Sequence, residues 1–321
     1  MKNYELQSGD RMPALGLGTW QAEPGEVGRA VREAIRAGYR HFDCAPAYKN
    51  EAEIGAALKA AIDDGEVRRE ELWITSKLWN SDHLRDDVKP ALEKTLADLQ
   101  TDYLDLYLVH WPIAFKPGVD FPEGPNDYLS LEEAPLTGTW AGMEDLLEAG
   151  LCRNIGVSNF TESKINRLLE AGHQMPAVNQ VELHPLFQQK DLLQWCGNHG
   201  IVLTAYSPLG SDGRPEEMRN PDEPRPLQHP VIRKIASKHD LGPAQVLIAW
   251  GIQRGTCVIP KAVKDEHLRA NFEAAGLELD DEDMAAINAL DDEEPGGQQR
   301  ILTGDFFCPP GSPYTTAWLW A

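Results

Sequence analysis

The chain has 321 residues, 42% hydrophobic and 25% charged, enough apolar material for a sizeable core. Its net charge of −21 and pI near 4.8 argue against general nucleic-acid binding, which needs clustered basic surface, and any anionic ligand needs a local cationic site against this background. The opening MKNYELQSGD is too polar for a secretory signal, and no apolar run approaches the about 18 residues that span a bilayer. The five cysteines (44, 152, 196, 257, 308) are odd in number and scattered, with no C-x-x-C pair. This pattern points to reduced thiols in a cytoplasmic protein, with no metal site, disulfide frame or membrane partner expected. The acidic excess reads as a solvated surface, a salt-adapted host being the sharper alternative.

Short apolar runs alternate with amphipathic segments. In chain order they are strand ALGLG (14–18), helix 26–37, strand HFD (41–43), helix 51–63, strand LWITS (72–76), helix 85–99 and strand YLDLYLVH (103–110). Helix 139–149, strand NIGVS (154–158), helix 161–171, strand VNQVE (178–182), helix 188–199, strand VLTAY (202–206), helix 243–254 and strand CVI (257–259) follow. Gly38, Gly150, Gly172 and Gly200 stand just past helices, where a left-handed residue closes the last turn. Eight strands alternating with helices imply a parallel sheet closed into a (β/α)8 TIM barrel, one α/β domain over 1–321 with an N-terminal β-hairpin cap. An open doubly wound sheet is the alternative, but the first strand leads into GLGTWQAE, without the third glycine or helix start of G-x-G-x-x-G. Two long connections, 112–138 and 207–228, leave the C-terminal ends of strands and read either as functional lids or as disordered segments. The tail, DFFCPPGSPYTTAWLWA, reads either as a strap over bare barrel or as a wall of a substrate pocket.

Barrel geometry gathers the strand C-termini at one mouth. Asp43 ends the second strand, with Tyr48 in its loop; Lys77 ends the third and His110 the fourth. Ser158 and Asn159 end the fifth, Gln180 and Glu182 lie at the sixth, and Tyr206 ends the seventh. Asp, Tyr, Lys and His together suit carbonyl reduction. A carbonyl accepting hydride needs a proton at its oxygen, and a tyrosine, with an ordinary pKa of about 10, can give it. A nearby ammonium favours the phenolate and is expected to lower that pKa, a carboxylate keeps the ammonium charged, and a histidine orients the carbonyl. Each residue alone has a plainer reading, since a lysine after a strand is usually a surface residue. Four at neighbouring strand ends are harder to ascribe to chance.

The chain resembles the aldo-keto reductases over nearly its whole length. The matching segments are LGLGTW (15–20), GYRHFDCAPAYKNE (38–51), ITSKLW (74–79), DLYLVHWP (105–112), IGVSNF (155–160), NQVELHP (179–185), AYSPLGS (205–211) and IPKAV (259–263). The resemblance implies NAD(P)H-dependent reduction of aldehydes or ketones, with Tyr48 as general acid, Lys77 and Asp43 tuning it and His110 positioning the carbonyl. It also implies that Ser158, Asn159 and Gln180 hold the nicotinamide carboxamide and that Tyr206 stacks on its ring. Ser207, Leu209, Ser211 and Asp212 would line the pyrophosphate path, and Lys261, Val263, His267 and Asn271 the adenosine end. Histidine at 110 separates the chain from the similar branch that reduces steroid carbon–carbon double bonds, which carries glutamate there. Trp20, Trp79, Trp111, Phe306 and Phe307 are expected as apolar pocket walls for a small carbonyl substrate, core packing being the plain reading of any one of them. A monomer is the family's common form.

The stretch KAVKDEHLRANF departs from the family pattern. Lys261 and Asn271 match, but Ala262 replaces a small hydroxyl residue, His267 an arginine and Ala270 a glutamate, while Lys264 could compensate. Phosphate favours a bidentate guanidinium, and a neutral-pH histidine supplies only part of a charge, so NADPH is expected to be preferred by a reduced margin, with NADH usable. Two other readings are a catalytically silent nicotinamide-binding subunit and a metal-dependent hydrolase using His41, Asp43, His110 and His184. The second leaves Tyr48 and Lys77 without a task.

Overall fold

Side chains of a strand alternate between its two faces, and that period of two decides what enters the barrel. The computed structural model describes residues 2–219, 223, 225–293 and 298–321; residues 220–222 and 224 of the connection 207–228 lie outside the described residues. Strands β1 (Asn3–Glu5) and β2 (Arg11–Pro13) form the expected antiparallel hairpin. The parallel strands β3 (Leu17–Gly18), β4 (His41–Asp43), β5 (Trp73–Leu78), β6 (Leu106–Val109), β7 (Ile155–Ser158), β8 (Val178–Glu182), β9 (Val202–Tyr206) and β10 (Cys257–Val258) pair in sequence order. The sheet closes where Gly16 N donates to Val258 O (2.9 Å), Val258 N to Ala14 O (2.9 Å) and Gly18 N to Pro260 O (3.2 Å).

Trp73, Leu106, Leu108, Val178, Cys257 and Ile259 pack inside with Leu6 and Met12 around the hairpin, which plugs the floor. The alternate residues Phe42, Ile74, Tyr107, Val109, Val157, Val181, Leu203 and Ala205 face the helical layer. That layer comprises α1 (Val27–Ala37), α2 (Glu51–Asp63), α3 (Arg85–Leu99), α4 (Leu136–Glu148), α5 (Glu162–Glu170), α6 (Lys190–Asn198), α7 (Pro230–Lys238), α8 (Pro243–Gln253) and α9 (Asp265–Ala274). Then come α10 (Asp281–Asn288), α11 (Leu290–Glu293) and α12 (Thr316–Trp320). In α1 the buried Val27, Val31, Ala34 and Ile35 share one face, and Gly38 closes the helix at φ 110°, where a Cβ would come within 2.4 Å of the Phe272 ring. Gly150, Gly172 and Gly200 likewise have positive φ, as expected.

Helices α7, α9 and α10 do not stand out in the sequence pattern. The reason is visible in α9 and α10, whose buried stripes are narrow and partly polar: Leu268, Asn271 and Ala274 in one, Asp283 and Ile287 in the other. The long connection 112–138 and the tail form one body over the barrel mouth. Trp79, Trp111, Ile113, Phe115, Tyr128, Phe307, Tyr314 and Leu319 pack together there. Tyr314 OH donates to Leu129 O (2.9 Å) and accepts from Ala114 N (3.1 Å), so the tail holds that connection directly. No helix among the described residues is long and apolar enough to cross a membrane.

Candidate active site

Reading inward positions up each strand leads to the candidate residues. His41 is followed by Asp43 on β4, Trp73 and Thr75 by Lys77 on β5, and Leu106 and Leu108 by His110 just past β6. Val178 is followed by Gln180 and Glu182 on β8, and Val202 and Thr204 by Tyr206 on β9. A short 3-10 turn, Pro46–Tyr48, then brings Tyr48 back over Lys77, and Lys49 follows in left-handed backbone at φ 58°.

Lys77 Nζ, buried, donates to Asp43 Oδ2 (2.7 Å), Cys44 O (3.0 Å) and Tyr48 OH (3.0 Å). Gln180 Nε2 donates to the other carboxylate oxygen, Asp43 Oδ1 (2.7 Å), and Ser158 Oγ to Gln180 O (2.8 Å). Asn159 Nδ2 donates to Ser158 Oγ (3.1 Å) and His110 O (3.0 Å), and Tyr206 OH donates to Asn159 Oδ1 (2.7 Å). The Tyr48 and His110 rings meet edge to face at 5.8 Å, and Trp79 meets His110 at 5.2 Å. Asp43, Tyr48, Lys77, His110, Ser158, Asn159, Gln180 and Tyr206 therefore form one connected group. Lys49, Asn159, Ser207 and Ser211, four of the eight non-glycine residues with positive φ among the described residues, lie on or beside the loops that carry this group.

Burial alone would lower the Lys77 pKa, but the Asp43 carboxylate and Tyr48 outweigh it and hold the ammonium charged. The expected influence of Lys77 on Tyr48 is present, but it does not set the net shift. Lys77 does pull the phenol down, but burial is the larger influence, and the net result is a rise to about 12. Without cofactor Tyr48 is therefore a protonated donor at neutral pH. Burial, then the Lys77 charge, pushes His110 well below the ordinary imidazole range, so it is neutral.

Buried histidines also set an acid limit on the fold. Burial holds His83 at about 3 and His41 at about 4, and His110 shifts the same way. In the unfolded chain each returns to about 6.5. Below that pH the unfolded state binds three protons the native state refuses, so stability falls as pH falls. Glu51, raised to about 7 by burial, acts oppositely between about 4.5 and 7, leaving a net difference of two protons for these four groups. These four groups are expected to contribute a fall in stability of about 2.7 kcal/mol per pH unit between about 6.5 and 4.5, measured by urea titration at several pH values. His83→Phe should reduce the measured slope by about 1.4 kcal/mol per pH unit; an unchanged slope would contradict this assignment.

The remaining sequence candidates divide. Ser207, Leu209, Ser211 and Asp212 are half-buried along the segment leaving β9. Lys261 and His267 are exposed, Val263 is half-buried and Asn271 is buried. Arg29, which the sequence did not single out, reaches this segment from α1, pairing with Asp265 and donating to Val263 O, so a carboxylate already offsets its charge. Trp79 and Trp111 are buried, and Phe306 is exposed on the Trp111 edge at 6.2 Å. Phe307, expected as a pocket wall, is instead 1% exposed and packs between Trp111 (5.1 Å) and Phe115 (5.6 Å); the tail's aromatic packing draws it inward. Trp20 is half-buried and outside that cluster. The tail is held by contacts no local pattern reveals. Glu182 accepts from Ile301 N (2.6 Å) and Leu302 N (2.7 Å), and Lys164 Nζ donates to Trp318 O (2.7 Å).

His41 has both ring nitrogens within 3.2 Å of partners, Pro13 O and Thr75 Oγ1, as a core histidine does. Among the described residues His239, Asp280 and Asp283 bring potential metal-ligand atoms together, but Lys238 already donates to both carboxylates. A recess of about 520 Å³ lies on the outer side of the Tyr48 loop. Its lining includes Glu51 and Trp79 but omits Asp43, Lys77 and His110, so the hydrogen-bonded group, not that recess, defines the site.

A closed parallel barrel with its polar side chains converging at the C-terminal mouth is the architecture of a (β/α)8 enzyme. Comparison with known proteins narrows this. The aldo/keto reductase family model matches residues 14–292. The chain is 52% identical over 320 residues to aldo/keto reductase slr0942 of Synechocystis, covering 100% of this chain and 96% of that protein. It is 46% identical over 288 residues to aldo-keto reductase family 1 member A1 of Gallus gallus, covering 89% and 87%. The solved structure of the aldose reductase from Schistosoma japonicum superposes with a TM-score of 0.83 at 39% identity, covering 95% of this chain and 97% of that one. The chain belongs to the aldo/keto reductase family and is an NAD(P)H-dependent carbonyl oxidoreductase acting on small-molecule carbonyl substrates.

Proposed function

We propose that this protein uses NADPH to reduce aldehydes and ketones, aldoses or aliphatic and aromatic aldehydes among them, to alcohols. The observation that carries this is the buried Lys77 ammonium shared between Asp43 Oδ2 and Tyr48 OH. Tyr48 gives its proton to the carbonyl oxygen. Lys77 stabilises the phenolate left behind, Asp43 keeps Lys77 charged, and neutral His110 donates a hydrogen bond that orients the carbonyl. Reduced nicotinamide, when bound, supplies the hydride.

The residues fit that group. Gln180 uses one amide proton on Asp43 and keeps another; Asn159 Oδ1 accepts from Tyr206 and keeps a lone pair. Those free groups suit a carboxamide, with Ser158 supporting them and Tyr206 offering a ring face. Ser207, Leu209, Ser211 and Asp212 line the pyrophosphate, and Lys261, Val263, His267 and Asn271 the adenosine end. Trp20, Trp79, Trp111 and Phe306 wall the substrate, with Phe307 backing them. The chain acts as one domain, a cytoplasmic monomer. Relatives named aldose reductase and aldo-keto reductase support the reading.

With His267 exposed and Arg29 engaged by Asp265, the 2′-phosphate meets weakened cationic surroundings. We expect an NADPH/NADH ratio of kcat/KM above one, rising about tenfold in His267→Arg. Steady-state rates with both cofactors test this, and a wild-type ratio at or below one overturns the NADPH assignment.

A further inference from the structure

Arg300 lies between α11 and the tail helix, directly before the two residues that Glu182 holds. Its guanidinium carbon is 3.4 Å from the Trp320 ring centroid and 4.4 Å from that of Phe187, so two aromatic faces sandwich it. Trp320 is fixed in turn by its Nε1 donating to Thr303 O (2.6 Å). Arg300 Nη1 is buried and has no hydrogen-bond partner among the described residues. The other deep guanidiniums differ: Arg69 reaches Asp105, Arg214 reaches Glu223 and Arg254 donates to Gln188 O.

Arg300 is half-buried, but a buried guanidinium N–H without an acceptor is costly, and acids are not scarce here, with 51 Asp and Glu against 30 Lys and Arg. Glu182, whose charge Arg300 feels, is occupied by Ile301 N, Leu302 N and His184. Tyr206 is the other group whose charge it feels, and Trp320 meets Trp111 at 6.1 Å. Arg300 thus stands at the rim of the mouth, between the β9 end and the tail. The rings hold the guanidinium plane in place before any ligand arrives, which lowers the ordering cost of binding.

We propose that Arg300 is an anion-binding residue at the rim of the mouth, taking on Nη1 a carboxylate or phosphate oxygen of a bound ligand. That oxygen belongs either to a carbonyl substrate bearing a carboxylate or to a phosphate of the cofactor; this choice rests on the reductase reading, whereas the anion site itself does not.

Binding of benzoate and of inorganic phosphate, read through tryptophan fluorescence, tests the site without catalysis. Arg300→Met should weaken whichever anion binds by about 10- to 100-fold, and Arg300→Lys should retain part of the affinity. The kcat/KM values for 4-carboxybenzaldehyde and benzaldehyde, with the Kd for NADPH, identify the source. A substrate carboxylate predicts a 10- to 100-fold loss for the charged aldehyde with less than about threefold for the neutral one. A cofactor phosphate predicts the same loss in NADPH affinity and no discrimination between aldehydes. If neither anion, nor the charged aldehyde, nor NADPH binds more weakly to Arg300→Met, the proposal is overturned. Should Arg300→Met not fold, an Arg300→Lys protein that binds both anions, the charged aldehyde and NADPH as tightly as wild type would overturn it. Anion binding that depends on Arg300, in a protein that turns over no aldehyde, would sustain the site while removing the reductase reading.

Discussion

Replacing Lys77 with methionine is expected to destabilise the protein by about 3–5 kcal/mol and to cut carbonyl reduction severely. The two losses have separate causes. Lys77 and Asp43 are 0% and 2% exposed at the side chain, and without the ammonium the carboxylate keeps, among the described residues, only the Gln180 amide as a side-chain partner. A buried charge stripped of its counter-charge retains its desolvation cost and loses what offset it. Urea titration measures this part. The double variant Lys77→Met, Asp43→Leu removes both charges and should recover most of the stability. It should not recover activity, because the Tyr48 phenolate would then form beside no cation. A single variant as stable as wild type would show that the pair matters less to the fold than its burial implies.

Tyr48→Phe should behave in the opposite way, leaving the fold intact and lowering kcat by about 10²- to 10⁴-fold. The hydroxyl is only one of three acceptors for Lys77 Nζ, and Asp43 Oδ2 at 2.7 Å and Cys44 O at 3.0 Å remain. The barrel therefore loses little, and NADPH affinity, set by groups elsewhere around the mouth, should change little. The chemical step loses its proton donor. With the phenol at about 12, the wild-type reduction rate should also stay level from about pH 6 to 9, since Tyr48 does not release its proton there unaided. A Tyr48→Phe protein with near-normal kcat would place the acid elsewhere.

Much of this site is legible in the sequence because a strand has a period of two and a barrel has one mouth. Asp43 follows His41, Lys77 follows Thr75 and His110 follows Leu108 on inward-facing positions, so each strand's last inward residue can be read directly. The boundaries of β4, β8 and β9 and of α2 and α3 also match the sequence pattern. What stayed hidden depends on contacts between distant parts of the chain. Glu182 holding Ile301 and Leu302, Tyr314 bridging to Leu129 and Lys164 holding Trp318 leave no local trace. These contacts bring Phe307 into the core and Arg300 to the rim. The net shift of Tyr48 is hidden for a related reason. A neighbouring lysine can be read from spacing, but the burial that outweighs it depends on the folded mouth.

The central claim is tested most directly by mixing the purified protein with NADPH and a panel of aldoses, aliphatic aldehydes and aromatic aldehydes at neutral pH, then counting alcohol formed against cofactor oxidised. One alcohol per NADPH, with turnover on at least one class, is the predicted result. Clear quenching of tryptophan fluorescence by NADPH with no alcohol formed from any of them would contradict it, and would make this barrel a nicotinamide-binding protein in which Asp43, Tyr48, Lys77 and His110 perform no chemistry.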